Sequence, residues 1–235
     1  MSIHRHRHRH RHLAALASGL LLALPVRAAD PAPADDPHAA CKAAAAKATA
    51  DAARPASAQA APAAAAVVLE DLPMVDQDGT FRRFRSEVVG GRIVVMDFVF
   101  TTCTTICPVL SSKMARLQER LGDRLGREVF LVSVSVDPAR DGPPQLLAYS
   151  KKWKARQGWS FLGGKPADVE AVLKGMGANT ANFANHPPMF LVGDGRTGKW
   201  TRLNGFPEVD QLLKQVDTLA AARAEKSAAL GGSRP

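Results

Sequence analysis

Aromatic side chains are scarce in this sequence and unevenly placed. They make up 6% of the 235 residues, and the 9 Phe, 3 Trp and 1 Tyr all lie after residue 66. The first 66 residues therefore cannot build a packed core, which leaves one domain of about 150 residues. Cysteine is scarce as well, and 3 residues are too few for a disulfide-rich mini-protein.

Long apolar runs are also missing. No run reaches the roughly 18–20 residues that a membrane-spanning helix needs, which excludes a multi-pass membrane protein. More than half of the formal net charge of +9 lies in the first 28 positions, which contain five of the 31 basic residues and no Asp or Glu. Elsewhere basic and acidic residues are interleaved, so the sequence does not predict nucleic-acid binding.

Residues 1–28 have the pattern of a secretory signal peptide. A basic head, Met1–His12, precedes a short apolar stretch, Leu13–Pro25, and small residues at Val26 and Ala28 complete the cleavage site. We expect export to the periplasm with cleavage after Ala28. An uncleaved membrane anchor is the alternative.

Residues 29–66 are predicted to be a disordered tether. They contain 21 Ala and 5 Pro and no large apolar side chain, so burial cannot offset the entropy lost on ordering. His38 and Cys41, spaced as H-x-x-C, are either an accessory metal site or an incidental thiol. Residues 67–226 are predicted to form the folded domain, and residues 227–235 a flexible tail.

The folded domain alternates apolar strand patterns with amphipathic helix patterns. Two long runs, Arg92–Phe100 and Glu128–Val136, are typical of buried strands, and each precedes a helix pattern. The other predicted elements are the strand Val67–Leu72, a turn at Gln77–Gly79, the helices Pro108–Leu125 and Pro143–Trp153, an inserted strand Trp159–Leu162 with the helix Pro166–Met176, the hairpin Pro188–Val192 and Lys199–Leu203, and the closing helix Glu208–Ala224. This order predicts an α/β, thioredoxin-like sandwich. Its mixed sheet is covered by helices on both faces, with an N-terminal hairpin and an inserted strand and helix.

Two cysteines lie at the turn between the first long strand and its helix, in the sequence FTTCTTICP. Ligands of open α/β sheets bind beyond the carboxyl ends of strands, so Cys103 and Cys107 are well placed for a site. A helix N-terminus also favours the thiolate, the form that binds metal or attacks a disulfide. The alternative is a pair of inert buried thiols.

His186 is the one histidine of seven that falls in the predicted domain. It immediately precedes the Pro188–Val192 strand, and in a thioredoxin-like sandwich the loop that enters this strand faces the cysteine turn. Such loops commonly contain a cis proline, and Pro188 is the candidate. The alternative for His186 is an exposed loop position without a role.

Two thiolates and one imidazole form a soft, three-coordinate donor set. Structural zinc prefers four ligands, calcium and magnesium prefer oxygen, and iron–sulfur clusters need more cysteines. Copper accepts thiolate and imidazole at low coordination number. The sequence therefore favours one copper ion per chain, in an incomplete site that suits a protein that passes its ion on.

These residues resemble the Sco/SenC proteins over roughly Leu69–Leu219. The resemblance depends on C-x-x-x-C-P at Cys103–Pro108, on SVDPARD at Ser135–Asp141 and on His186 before an FLV strand. It implies a thioredoxin-like copper metallochaperone, tethered outside the inner membrane, that helps assemble the copper site of cytochrome c oxidase. The family's metal ligands correspond to Cys103, Cys107 and His186, and an oxidase subunit is the expected acceptor.

Three departures from the family pattern leave the acceptor open. Thr104-Thr105 replace the usual Pro-Asp, Asn185 replaces an acidic residue, and Pro187-Pro188 tighten the histidine loop. The second hypothesis is a thiol–disulfide oxidoreductase in which Cys103 and Cys107 form the disulfide, with a thiol reductant as partner. A thiol peroxidase is a third, so whether the protein is an enzyme remains open at this point.

Asp137 and Asp141 allow two interpretations. A carboxylate near the site could orient His186 or help a partner dock. Alternatively, Asp137-Pro138 turns the chain and Asp141 caps the helix that follows.

Overall fold

The structure is a computed structural model that describes residues 61–231. The predicted signal peptide, most of the predicted tether with His38 and Cys41, and the end of the tail lie outside these residues. Within residues 61–231, no helix is both long enough and apolar enough to cross a membrane.

Within residues 61–231, eight strands form one mixed sheet. The strands are β1 (Ala63–Ala64), β2 (Pro73–Asp76), β3 (Phe81–Arg83), β4 (Ile93–Val99), β5 (Val129–Ser135), β6 (Trp159–Gly163), β7 (Met189–Asp194) and β8 (Lys199–Asn204). Their order across the sheet is β1-β8-β7-β4-β5-β6-β2-β3. Strands β4, β5 and β6 run parallel, and β7 pairs with β4 in the antiparallel direction. The carboxyl ends of β4 and β5 and the start of β7 therefore lie side by side, at the same end of the central strands.

The central strands are buried on both faces. All seven residues of β4 are buried, although successive side chains of a strand point to opposite faces. Helices therefore cover the sheet on either side of β4. The predicted mixed sheet flanked by helices is confirmed.

In the described part of the chain, four α-helices accompany the sheet: α1 (Ile106–Leu121), α2 (Pro143–Lys152), α3 (Pro166–Gly175) and α4 (Val209–Gly231). In α1 the predicted apolar stripe is buried, at Leu110, Met114, Leu117 and Leu121. Helices α2 and α3 each begin with proline, which is favourable because the first helical position needs no N–H donor.

Two local predictions are wrong, and one element was not predicted. Residues 67–72 form no strand, because the Val68 N–H donates to the Gly175 carbonyl at the end of α3 (2.8 Å) instead of to another strand. Residues 84–89 form a π-helical turn that buries Phe84, which the sequence did not indicate. The peptide bond before Pro188 is trans, like every other peptide bond in residues 61–231.

Candidate metal centre

The two cysteines occupy the turn between β4 and α1, as predicted. Cys103 follows β4, and its N–H donates to the Phe100 carbonyl (3.1 Å). Cys107 lies in the first turn of α1. Both are free thiols and nearly inaccessible, at 7% and 4% exposure. The backbone of both cysteines is thus held in place, Cys103 by this hydrogen bond and Cys107 by the helix.

Asp141 fastens the cysteine turn to the end of β5. Its carboxylate accepts hydrogen bonds from the Thr101 N–H, from the Thr101 hydroxyl (2.6 Å) and from the Ser135 hydroxyl (2.6 Å). The predicted helix cap is wrong, because Gly142 precedes α2 and no side chain caps it. Asp137 accepts backbone hydrogen bonds from Arg140 and Asp141, so the predicted turn is present.

The two thiols differ in their ionisation. The pKa of Cys103 is lowered to about 5, chiefly by the hydrogen bond with the Cys107 side chain, against burial and with help from the Cys107 and Thr105 backbone. The Cys107 N–H lies 3.4 Å from the Cys103 Sγ. The hydrogen bond between the two thiol groups, together with burial, raises the pKa of Cys107. One thiol of the pair therefore ionises more readily than the other.

His186 follows a short 3₁₀ turn, Phe183–Asn185, and its side chain is buried. Burial lowers the pKa of the imidazole to about 4, and a hydrogen bond to the Ala178 backbone opposes this shift. The Nε2 atom is buried without a hydrogen-bond partner. The ring is therefore neutral at pH 7, and its Nε2 has no partner within the fold.

The structure brings Cys103, Cys107 and His186 to one small cavity. The cavity has a volume of about 10 Å³, close to the size that holds one water molecule. Phe98, Phe100 and other largely apolar side chains complete its wall. Two sulfur donors and an imidazole nitrogen suit one soft metal ion. No three His, Cys, Asp or Glu side chains within residues 61–231 are grouped closely enough to hold a metal as they stand, so binding would require these donors to move closer together.

An aromatic contact joins the histidine loop to the rest of the site. The Arg140 side chain pairs with Asp137 (3.0 Å) and lies over the Phe183 ring, 5.3 Å from its centroid. Phe183 packs edge-on against Phe100, with 5.1 Å between centroids. Sequence reasoning missed this contact, because no local pattern indicates that these three loops converge.

Asp97 is a second residue that sequence reasoning missed. It lies in the middle of β4 and is fully buried, with Oδ1 accepting from the Ser133 hydroxyl (2.6 Å) and Oδ2 unpartnered. Burial raises the pKa of this carboxyl to about 7, against the hydrogen bond from Ser133. A charged residue within the otherwise apolar run IVVMDFV is the signal that could have identified it.

Comparison with known proteins points to one family. Residues 60–189 match the sequence model of the SCO1/SenC family. The SCO1 protein homolog of Bacillus subtilis (strain 168) is 34% identical over 97 residues, which are 41% of this chain and 49% of that protein. The matched segment thus spans about half the length of that relative.

Two solved structures share the fold at 26–27% identity. A SCO1/SenC family lipoprotein from Bacillus anthracis str. Ames superimposes with a TM-score of 0.57, covering 67% of this chain and 97% of the other. BsSco, a Sco family cytochrome c oxidase assembly protein with a disulfide switch, superimposes with a TM-score of 0.56, covering 67% and 96%. Almost the whole of each relative's structure therefore has a counterpart here.

Proposed function

This chain belongs to the SCO1/SenC family, and we propose that it is a copper metallochaperone. In this proposal Cys103, Cys107 and His186 hold one copper ion in the periplasm, after export directed by residues 1–28. The acceptor is the copper site of cytochrome c oxidase. BsSco, which shares the fold, is a member of a family of oxidase assembly proteins, and this supports that choice of acceptor.

The observation that carries the proposal is the unpartnered Nε2 of His186 in the cavity of the two thiols. Leaving a buried polar atom unpaired costs about 1–3 kcal/mol, and a metal bond would relieve that cost. A plain dithiol protein has no use for the imidazole. Copper fits the donor set best, because thiolates favour the cuprous ion and low coordination number.

The ionisation of the donors suits uptake of an ion. Cys103 supplies a thiolate, and neutral His186 supplies a lone pair. Only Cys107 has a proton to lose, and the ion takes its place as that thiol ionises. Because Cys103 and Cys107 are each less than a tenth exposed, water is largely kept from the donors.

A thiol–disulfide oxidoreductase is the second candidate, and the asymmetry of the two thiols favours it. The Cys103 thiolate would attack a partner disulfide, and Cys107 would then lose its proton and resolve the mixed disulfide. Two electrons would pass to the partner, which would leave with two thiols, and a Cys103–Cys107 bridge would remain. The disulfide switch of BsSco supports such a bridge.

His186→Ala separates the two functions. A copper carrier should lose at least about tenfold in copper affinity, or 1.4 kcal/mol, while its dithiol exchange rate stays unchanged, because the sulfurs remain. We expect oxidase activity to fail in a strain with only this variant at limiting copper and to recover with added copper. Cys41→Ser is the matched control and should behave as wild type. Normal oxidase activity of His186→Ala at limiting copper would overturn the carrier and favour the oxidoreductase.

A further inference from the structure

The loop that carries His186 is long and has little secondary structure. It runs over residues 177–188, from the end of α3 to the start of β7, and contains only the short turn at Phe183–Asn185. A flexible loop would present the imidazole in many directions, each with an entropic cost when a ligand must be held. What fixes the ends of this loop therefore matters for the site.

Arg202 of β8 contacts both ends of the loop. At the start, its guanidinium donates to the carbonyls of Met176 (2.8 Å) and Gly177 (3.0 Å). At the other end, its Nη1 lies 4.0 Å from the Sδ of Met189, the first residue of β7. One planar group on a sheet strand thus spans the two points where the loop leaves and rejoins the fold.

The contacts at the start of the loop are specific for arginine. The carbonyls at the end of α3 have no further helical partner and carry the negative end of the helix dipole. A fork of N–H donors can reach two successive carbonyls, which a lysine ammonium cannot match in geometry. Gly177 has φ +62°, a backbone conformation that favours glycine, and a Cβ there would lie 2.6 Å from the Arg202 Nη2, so the guanidinium would have to shift. Arg202 forms no ion pair with a carboxylate of residues 61–231.

The next residue after these carbonyls, Ala178, is a backbone neighbour of the imidazole. Ala178 is buried, its N–H donates to the Leu173 carbonyl (2.8 Å), and its backbone counteracts the lowering of the His186 pKa by burial. A hydrogen bond to one ring nitrogen decides which nitrogen faces a metal. A displacement of Met176 or Gly177 would therefore also move the Ala178 backbone next to the imidazole.

We propose that Arg202 is a positioning residue of the metal centre: it fixes the loop 177–188 at both ends and so sets the direction in which His186 presents Nε2 to Cys103 and Cys107. This inference rests on the proposed function. Partners that orient a metal-bound histidine typically contribute about 10- to 100-fold in metal affinity.

The test compares Arg202→Met and Arg202→Lys with a matched control, Arg223→Met. Arg223 is also an arginine that joins elements through a carboxylate and a carbonyl, on Asp194 and Gly91, but it does not contact the histidine loop in the described residues. We expect Arg202→Met to weaken Cu(I) affinity by about 10- to 100-fold, with Arg202→Lys in between. Arg223→Met should lower the melting temperature without changing copper affinity, and the Cys103–Cys107 reduction potential should stay unchanged in all three.

Two further measurements separate positioning from mere stability. Copper affinity of the double variant Arg202→Met/His186→Ala should equal that of His186→Ala alone, because Arg202 acts through His186. In the metal-free reduced protein, imidazole ¹⁵N spectra should show one tautomer in wild type and a mixture in Arg202→Met. Additive losses in the double variant, or wild-type copper affinity and tautomer in Arg202→Met, would overturn the inference. If wild type itself binds no copper, the proposed function fails, and the imidazole spectra still decide the role of Arg202.

Discussion

Asp97 places a carboxyl group in the interior of the fold, where a charged group is destabilising. It is 0% exposed and lies on the strand that leads to the cysteines, with one oxygen unpartnered. Its raised pKa, about 7, means that the protonated form persists to a much higher pH in the folded protein than in the unfolded chain. The stability contributed by neutral Asp97 is therefore complete below about pH 4 and is lost as pH rises through about 7.

Asp97→Asn should stabilise the protein increasingly as pH rises. Asparagine stays neutral, so the variant avoids the cost of burying the carboxylate, and the difference in unfolding free energy from wild type should grow by roughly 1–3 kcal/mol between pH 5 and pH 8. Urea denaturation of both proteins at several pH values measures this difference. A constant difference over that range would mean that Asp97 does not change ionisation there.

The site residues differ in how far sequence alone could identify them. Cys103 and Cys107 could be identified from the sequence because their spacing and their place between a strand and a helix are local patterns. His186 could be identified by elimination, since no other histidine falls in the folded domain. The roles of Asp141 and Arg202 were not, because both depend on hydrogen bonds to backbone atoms distant in sequence.

At the scale of elements, the segment before β2 crosses the fold from one edge of the sheet toward the other. Residues 63–64 pair with β8 near one edge, and β2 lies next to the outermost strand at the other. Between them the backbone passes the end of α3, where Val68 is hydrogen-bonded to Gly175. The long strands and helices were predictable because their apolar periods are strong. This segment was not, because its apolar residues cover a helix end instead of pairing as a strand.

Gly175→Ala should destabilise the protein although alanine is the better helix former. Alanine would gain about 1 kcal/mol of helix propensity. The new Cβ, however, would lie 2.2 Å from the Val68 carbonyl oxygen, and overpacking costs about 1–3 kcal/mol. Loss of the Val68 hydrogen bond adds about 1 kcal/mol. We expect a net loss of roughly 1–3 kcal/mol in denaturant unfolding.

Hydrogen exchange supplies a local measurement for the same substitution. The Val68 amide should exchange faster in Gly175→Ala than in wild type, because its acceptor is displaced. Lys174→Ala, at the exposed neighbouring position, is the control and should change stability by less than about 0.5 kcal/mol. Equal stability and equal Val68 protection in Gly175→Ala would show that the segment adapts without cost.

At the scale of the whole molecule, the candidate site can assemble only when β4, β5 and β7 have paired. The cysteines follow β4, Asp141 follows β5, and His186 precedes β7. These positions become neighbours because β4 and β5 run parallel while β7 runs antiparallel to β4. A ligand that uses all three loops therefore binds the folded chain better than the unfolded one and stabilises it by mass action.

Copper should raise the melting temperature of the reduced protein but not of the oxidised one. At a free Cu(I) concentration 100 times Kd the gain has a ceiling of about 2.7 kcal/mol, or a shift of roughly 5–10 °C for a domain of this size. The observed shift should be smaller, because an unfolded chain keeps the closely spaced Cys103 and Cys107 as a weaker site. A Cys103–Cys107 disulfide removes both thiolates, so added copper should leave its melting temperature unchanged. Each redox form is compared with its own metal-free scan, in the Cys41→Ser background to exclude the third thiol. An equal shift in both forms would contradict binding through the two sulfurs.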